Sequence, residues 1–280
     1  MQFNGKLFTY HEELRLTAFE SGALDSNKTI VFLEGLGDGY NGVPYLTKLN
    51  DTVTKHGYSL IQMQTTSFYN GYGLSSVSND SEELDYLVDY LRQHGKARIV
   101  VMGHSTGCQD CYWHSKYGER QVDGYILQAP VSDRQYYWDQ CEEHDNHVYL
   151  AETMCEQGRG SDWMPQSISA VPITADRFCS LYSDLGDEDV FSTDLPNSDL
   201  KALYEGVKQP MMLVHGQQDE YYKSSMDQMV MLQRLQQACP AIQKIAVVPG
   251  ANHKVFDPQA QDALMDLVSS FLDTLETSWN

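Results

Sequence analysis

"RIVVMGHSTGCQD", residues 98–110, runs an apolar segment straight into Gly-His-Ser-Thr-Gly. A short apolar run bounded by glycine reads as a buried strand, and a Gly-x-Ser-x-Gly turn between a strand and a helix is a nucleophile elbow. Such a turn holds the serine in a strained backbone conformation, and glycines at 103 and 107 are needed because a Cβ there would collide with the neighbouring strand or helix. The competing interpretation is that Ser105 only caps the N-terminus of the helix. The rest of the chain decides between them, because a serine nucleophile requires a base, an acid and an oxyanion site in the right order.

Around this stretch, strand and helix patterns alternate. "LRLTAFES" (14–21) alternates apolar and polar positions, and "KLFTY" before it reads as its hairpin partner, together an antiparallel edge. "TIVFLEG" (29–35) is a buried-type strand, followed by a helix in "VPYLTKLNDTVTKHG" and a short strand in "YSLIQMQT". "NDSEELDYLVDYLRQHG" puts Leu84, Leu87, Val88 and Leu91 at helical spacing, with Asp80 and Glu83 as a capping pair and Gly95 as a stop. After the elbow come a helix starting near Ser105 and the strand of "VDGYILQAP". The pattern resumes with "PMMLVHG" (210–216), the helix "SMDQMVMLQRLQQAC", the strand "KIAVVPG" (244–250) and a closing helix from Pro258 to Leu275. This βα alternation predicts an α/β fold with a mostly parallel central sheet flanked by helices.

The alternation breaks at 131–208. Residues 135–200 hold fourteen Asp or Glu against two basic residues, Arg159 and Arg177. Disordered acidic segments are poor in aromatics, whereas this one contains Trp138, Trp163, Phe178, Phe191 and several tyrosines, so an ordered acidic cap is expected. The predicted division is a core of 1–130 and 209–280 with a cap inserted at 131–208, between the sixth and seventh main strands.

A serine hydroxyl is weakly nucleophilic at neutral pH and needs a base to take its proton. Where the elbow is used, the chain order is serine, acid, histidine. "VHGQQDEYY" (214–222) puts Asp219 after the seventh strand and "VVPGANHKVF" puts His253 after the eighth, so Ser105, Asp219 and His253 gather at one sheet edge. His104 and His215 sit in the elbow and at a strand end, where packing roles suffice. Glu220 and Asp133 compete with Asp219 for the acid. The oxyanion donors are expected to be the backbone N–H of Thr106, after the nucleophile, and of Leu36, in the "EGLGDGY" turn after the first main parallel strand. That turn lacks the lysine and spacing of a phosphate-binding loop.

The 280 residues suffice for one large α/β domain, and their formal charge of −20 disfavours nucleic acid and anionic membranes as partners. "MQFNGKLFTYHEELR" lacks the apolar core of a signal peptide and there is no run of eighteen apolar residues, so a soluble, cytoplasmic protein is expected. The six cysteines are thinly spread and are expected to be reduced. Cys108 and Cys111 form a C-x-x-C without a second pair, which favours helix-buried thiols over a zinc or redox site. No cofactor or metal is expected.

With these residues in view, the chain resembles the α/β hydrolases, and among them the fungal fusarinine C esterase-like family, largely described as a domain of unknown function. The matching pieces are "GLGDGY" (35–40), "GHSTGCQD" (103–110), "QAPVSDR" (128–134), "VPITADRFCSLYSDLGDEDVFSTDL" (171–195) and "VHGQQDEYY" (214–222). Glu34 departs from the pattern, which has a glycine or small residue before Gly35. The resemblance implies the α/β-hydrolase fold and serine-dependent hydrolysis of ester bonds in a hydroxamate siderophore, aiding iron release inside the cell, with Ser105, Asp219 and His253 as the triad. It implies a small-molecule ester substrate, and an acidic cap would attract the free amino groups of such a siderophore, iron-chelated or not. The alternatives are a thioesterase, amidase or acyltransferase using the same residues, or a non-catalytic ligand-binding module on the same fold.

Overall fold

In the computed structural model, which describes residues 1–279, the predicted strands all lie in one eight-stranded sheet. In chain order they are β1 (Gly5–His11), β2 (Leu16–Gly22), β3 (Lys28–Leu33), β4 (Ser59–Met63), β5 (Arg98–His104), β6 (Gly124–Gln128), β7 (Met211–Gly216) and β8 (Ile242–Val248). Their order across the sheet is β1-β2-β4-β3-β5-β6-β7-β8. β1 and β2 form the expected antiparallel edge, and β3 to β8 run parallel. The order reverses at β3, whose neighbours are β4 on one side and β5 on the other. Ligands of open parallel sheets gather at such a reversal, beyond the carboxyl ends of the strands.

Two helical layers bury the sheet. α1 (Leu46–Lys55) and α9 (Pro258–Ser278) cover one face, where Leu46, Leu49 and Val53 meet Leu264, Val268 and Phe271 over Ile30, Phe32 and Val100. α2 (Val77–Gln93), α3 (Gly107–Tyr117) and α8 (Gln228–Ala238) cover the other, with Leu84, Leu87, Val88 and Leu91 buried as their spacing predicts. The closing helix starts where its sequence dictates. Asp257 accepts from the amides of Gln259 and Ala260, and Pro258 occupies a first-turn position whose missing N–H costs nothing.

The start of α2 corrects the expectation about its cap. Ser76 caps the helix, accepting from the Asn79 N–H at 3.1 Å, so the helix begins before Asp80 and Glu83. Those two carboxylates instead hold the loop ahead of the helix. Asp80 accepts from the Ser67 hydroxyl at 2.6 and 2.8 Å, and Glu83 from the Thr66 N–H at 2.8 Å.

Between β6 and β7 the chain forms α4 (Asp133–Gln140), α5 (His144–Glu156), α6 (Ala175–Tyr182) and α7 (Asn197–Tyr204). α4 to α6 share a hydrophobic cluster of their own, built from Ala151, Met154, Met164, Ile173, Phe178 and Leu181, with the side chain of Leu36 packed against it. Val190, Phe191, Leu195, Leu200 and Tyr204 pack instead into the cluster beneath the sheet. The final third of 131–208 is thus continuous with the core. Among the described residues no helix is long and apolar enough to cross a membrane.

β5 passes into α3 at the elbow by a backbone approach that excludes side chains. A Cβ on Gly103 would lie 2.0 Å from the Gly107 carbonyl oxygen, and one on Gly107 would lie 2.6 Å from that of Leu33. Overpacking of this kind typically costs about 1–3 kcal/mol, and here the obstacle is backbone that cannot rotate away. Gly103→Ala should therefore lower unfolding stability in a denaturant titration by at least that amount. A variant as stable as the parent would show that the elbow can relax.

Candidate active site

The elbow places Ser105 at φ +55°, in the left-handed region that only a constrained turn imposes on a serine. Its N–H donates to the Gln128 carbonyl at 3.0 Å, tying the turn to the end of β6. The two later loops supply the partners expected of them. His253 Nε2 lies 2.8 Å from Ser105 Oγ, and His253 Nδ1 lies 2.9 Å from both carboxylate oxygens of Asp219. The Asp219 side chain is fully buried and that of His253 is 3% exposed, so their charge–dipole interaction is shielded from water.

The competing acids occupy other positions. Glu220 accepts the backbone N–H of His253 at 2.9 Å, and so fixes the loop that carries the imidazole while leaving the ring to Asp219. Asp133 starts α4 and accepts from Gln109 Nε2 at 2.7 Å, with no bond to His253. It faces the cleft, and burial together with Glu188 pushes its carboxyl up to about 7.

The sequence reading missed Gln128. Its amide donates to the His253 carbonyl at 3.1 Å, while its Oε1 lies 2.6 Å from His104 Nδ1 and accepts the Tyr45 hydroxyl at 2.8 Å. One side chain at the end of β6 thereby joins the elbow, the histidine loop and the segment before α1. Its signal was faint: a lone glutamine closing the apolar "YILQ" of a strand buried on both faces. His104 and His215 are buried packing residues, and burial holds the imidazole of each in its neutral form, His215 down to about 4.

Leu36, in the turn after β3, and Thr106, next to Ser105 after β5, flank the serine beyond the carboxyl ends of these two strands. Among the described residues neither N–H donates to another protein group. The cleft in front of Ser105 and His253 has a volume of about 220 Å³. Tyr136 and Tyr137 of α4, Tyr182 at the end of α6, and Tyr221 line it, with Asp38, Asp133 and Lys254 as its charged groups. Lys254 Nζ is held by Asp38 at 2.8 and 2.9 Å. Cys108 and Cys111 lie wholly buried in α3, and burial raises both thiols well above their ordinary range.

The family model of DUF1749, described as "Protein of unknown function", matches residues 1–275. The chain belongs to the DUF1749 family. UPF0613 protein PB24D3.06c of Schizosaccharomyces pombe is 31% identical, with 98% of this chain and 97% of that protein covered. Esterase AN6793 of Emericella nidulans is 27% identical over 91% of this chain and 88% of its own. Fusarinine C esterase sidJ of Aspergillus fumigatus is 25% identical over 95% of each. Among solved structures, siderophore hydrolase EstB from A. fumigatus superposes with a TM-score of 0.80 at 24% identity, covering 98% of both chains. An α/β-hydrolase-fold protein of unknown function superposes at 0.72 with 16% identity, covering 100% of this chain and 99% of the other. This member of DUF1749 has the α/β-hydrolase fold.

The geometry separates the acids experimentally. Asp219→Asn, which removes the charge and the correct tautomer from His253, should lower kcat for an ester by about 10⁴-fold. Glu220→Gln keeps an oxygen for the His253 N–H and should cost less than about tenfold. The reverse ranking in steady-state assays would move the acid by one position.

Proposed function

We propose that this protein is a serine-dependent carboxylic ester hydrolase in which Ser105, His253 and Asp219 act as a triad. The observation that carries the reading is a serine at φ +55° with an imidazole 2.8 Å from its hydroxyl and a buried carboxylate on the far ring nitrogen. Ser105 Oγ attacks the ester carbonyl while His253 Nε2 takes its proton. The carbonyl oxygen becomes an oxyanion against the amides of Leu36 and Thr106, a pair of donors each worth about 3–4 kcal/mol in comparable sites. Collapse of the tetrahedral intermediate breaks the bond to the alcohol oxygen, which leaves with the proton from His253. Water, deprotonated by the same imidazole, then releases the acid and restores the serine. Asp219 keeps Nδ1 protonated and stabilises the imidazolium.

For the substrate we propose an ester of a hydroxamate siderophore such as fusarinine C, cleaved in the cytoplasm to help release its iron. The names of sidJ and EstB support this choice. α4 to α6 would serve as the cap over the cleft, since three of its tyrosines, Tyr136, Tyr137 and Tyr182, line it. A cationic substrate suits a wall that pairs aromatic faces with Asp133.

Ser105→Ala should reduce kcat for any ester substrate by about 10⁶-fold. Retention of a tenth of the parent activity would remove Ser105 from the mechanism. The Asp133 carboxyl is neutral below about 7 and ionised above it, so KM for an amine-bearing ester should fall as pH rises through that value. Asp133→Asn should abolish this dependence, and the acetylated, neutral form of the same ester should not show it. Equal pH dependence for both esters would make Asp133 a bystander.

A further inference from the structure

Glu34 opens the "EGLGDGY" turn, and the proposed mechanism gives it no task. It lies two residues before Leu36, whose amide flanks Ser105, with only Gly35 between them. The residue is only 7% exposed, and among the described residues no side chain hydrogen-bonds its carboxyl, which has only the Gly42 backbone N–H near it as a weak donor. It lines a small cavity of about 20 Å³ on the inner side of the loop, together with Leu36, Thr106, Asp110 and Arg177. Three further buried polar atoms without partners belong to that lining, namely Thr106 Oγ1, Asp110 Oδ1 and Arg177 Nε. The walls of this cavity therefore include both residues whose amides would hold the oxyanion.

The charged surroundings do not favour an ionised Glu34. Asp38, four residues on, is a like charge. Lys254, from the loop after β8, is spent on Asp38 at 2.8 and 2.9 Å and on the Gly42 carbonyl at 3.2 Å. Tyr45, ahead of α1, gives its hydroxyl to Gln128. His104 of β5 is held neutral by burial. Across the cavity, Arg177 of α6 is paired with Glu188 at 2.5 Å and also faces Asp80 of α2 and Asp110 of α3. A carboxylate in such a place would be desolvated and only weakly compensated by the Gly42 backbone and Lys254, which favours the protonated acid.

We propose that Glu34 is a positioning residue for the oxyanion site whose neutral acid is the working form, and that its ionisation sets a buried negative charge behind Leu36 and Thr106. That charge opposes the one developing on the substrate oxygen in the transition state, while the neutral acid does not. Catalysis is thereby limited on the alkaline side by a group that touches neither substrate nor imidazole. Burial and Asp38 push the Glu34 carboxyl up to about 8, against the weaker opposing effects of Gly42 and Lys254. The acid is neutral below that value and ionised above it, so the rate is full at neutral pH and falls as pH rises.

This inference rests on the esterase reading of Ser105. The test is the pH profile of kcat for 4-nitrophenyl butyrate, corrected for spontaneous hydrolysis, from about pH 6 to about pH 10. The parent should lose about tenfold between about pH 7 and about pH 9. Glu34→Gln, the shape of the neutral acid without its ionisation, should stay within about threefold of the parent at neutral pH and lose this alkaline limb. Asp38→Asn removes the like charge and frees Lys254 to face Glu34, so its limb should move to lower pH, and adding Glu34→Gln should abolish it. Superimposable profiles for the parent and Glu34→Gln, or an unmoved limb in Asp38→Asn, would overturn the role of Glu34 while leaving the esterase reading intact. No hydrolysis by the parent at any pH would overturn the esterase reading and this inference with it.

Discussion

The contact of three backbones at the elbow is the constraint from which the site follows. Gly103, next to last in β5, lies against the Gly107 carbonyl, and Gly107 opens α3 against the Leu33 carbonyl at the end of β3. With no side chain in either gap, the chain reverses from strand to helix within a few residues and Ser105 is driven to φ +55°. The same approach fixes the loop after β3 beside the serine, which is why Leu36 and Thr106 come to flank it. The later partners need only to end their strands on the same edge. β7 and β8 do so in register, with His215 paired to Val247 and Gly216 to Val248, and the loops that follow carry Asp219 and His253.

Around this rigid centre the protein concentrates buried carboxyls more densely than a solvated acidic surface would require. Arg177 is the cation shared among them. It pairs with Glu188 and faces Asp80, Asp110 and Asp133, while its own charge stays buried. Removing one partner from such a group leaves an uncompensated buried charge, so the group fixes α6 to α2 and α3 in a single arrangement. The acidic character seen in the sequence thus has two parts. Glu152, Glu156 and Asp184 are exposed, whereas Glu188 and Asp189 are nearly fully buried and help bind the helices between β6 and β7 to the core. Electrostatics that hold the wall of the cleft in place also raise Asp133 and Asp110.

Much of this was legible in the sequence because the relevant patterns are local. Apolar runs ending in glycine marked β3, β5 and β7, and the chain order of Ser105, Asp219 and His253 matched the order of the strands that present them. The helical stretch between β6 and β7 was legible only as ordered, since its helices bury against one another rather than in a repeating period, and its continuity with the core through Phe191 and Tyr204 depends on packing over a distance. The cap of α2 was misread because Asp80 and Glu83 have the spacing of a capping pair, but Ser76, one turn earlier, offers its hydroxyl first. Gln128 escaped notice, and Glu220 was weighed only as the acid, for a different reason. Each acts on backbone groups of residue 253, far along the chain, and a single polar side chain carries no periodic signal for such a contact.

In the proposed mechanism the elbow makes Ser105 an activated nucleophile rather than a helix cap. Intact-protein mass spectrometry after exposure to a fluorophosphonate tests it directly, because the reagent captures a serine only where a base and an oxyanion site act together. One adduct on the parent protein, mapped to the peptide holding residues 98–110 and missing from Ser105→Ala, is the expected result. An unlabelled parent protein, or equal labelling of the alanine variant, would contradict it and leave the turn as scaffold.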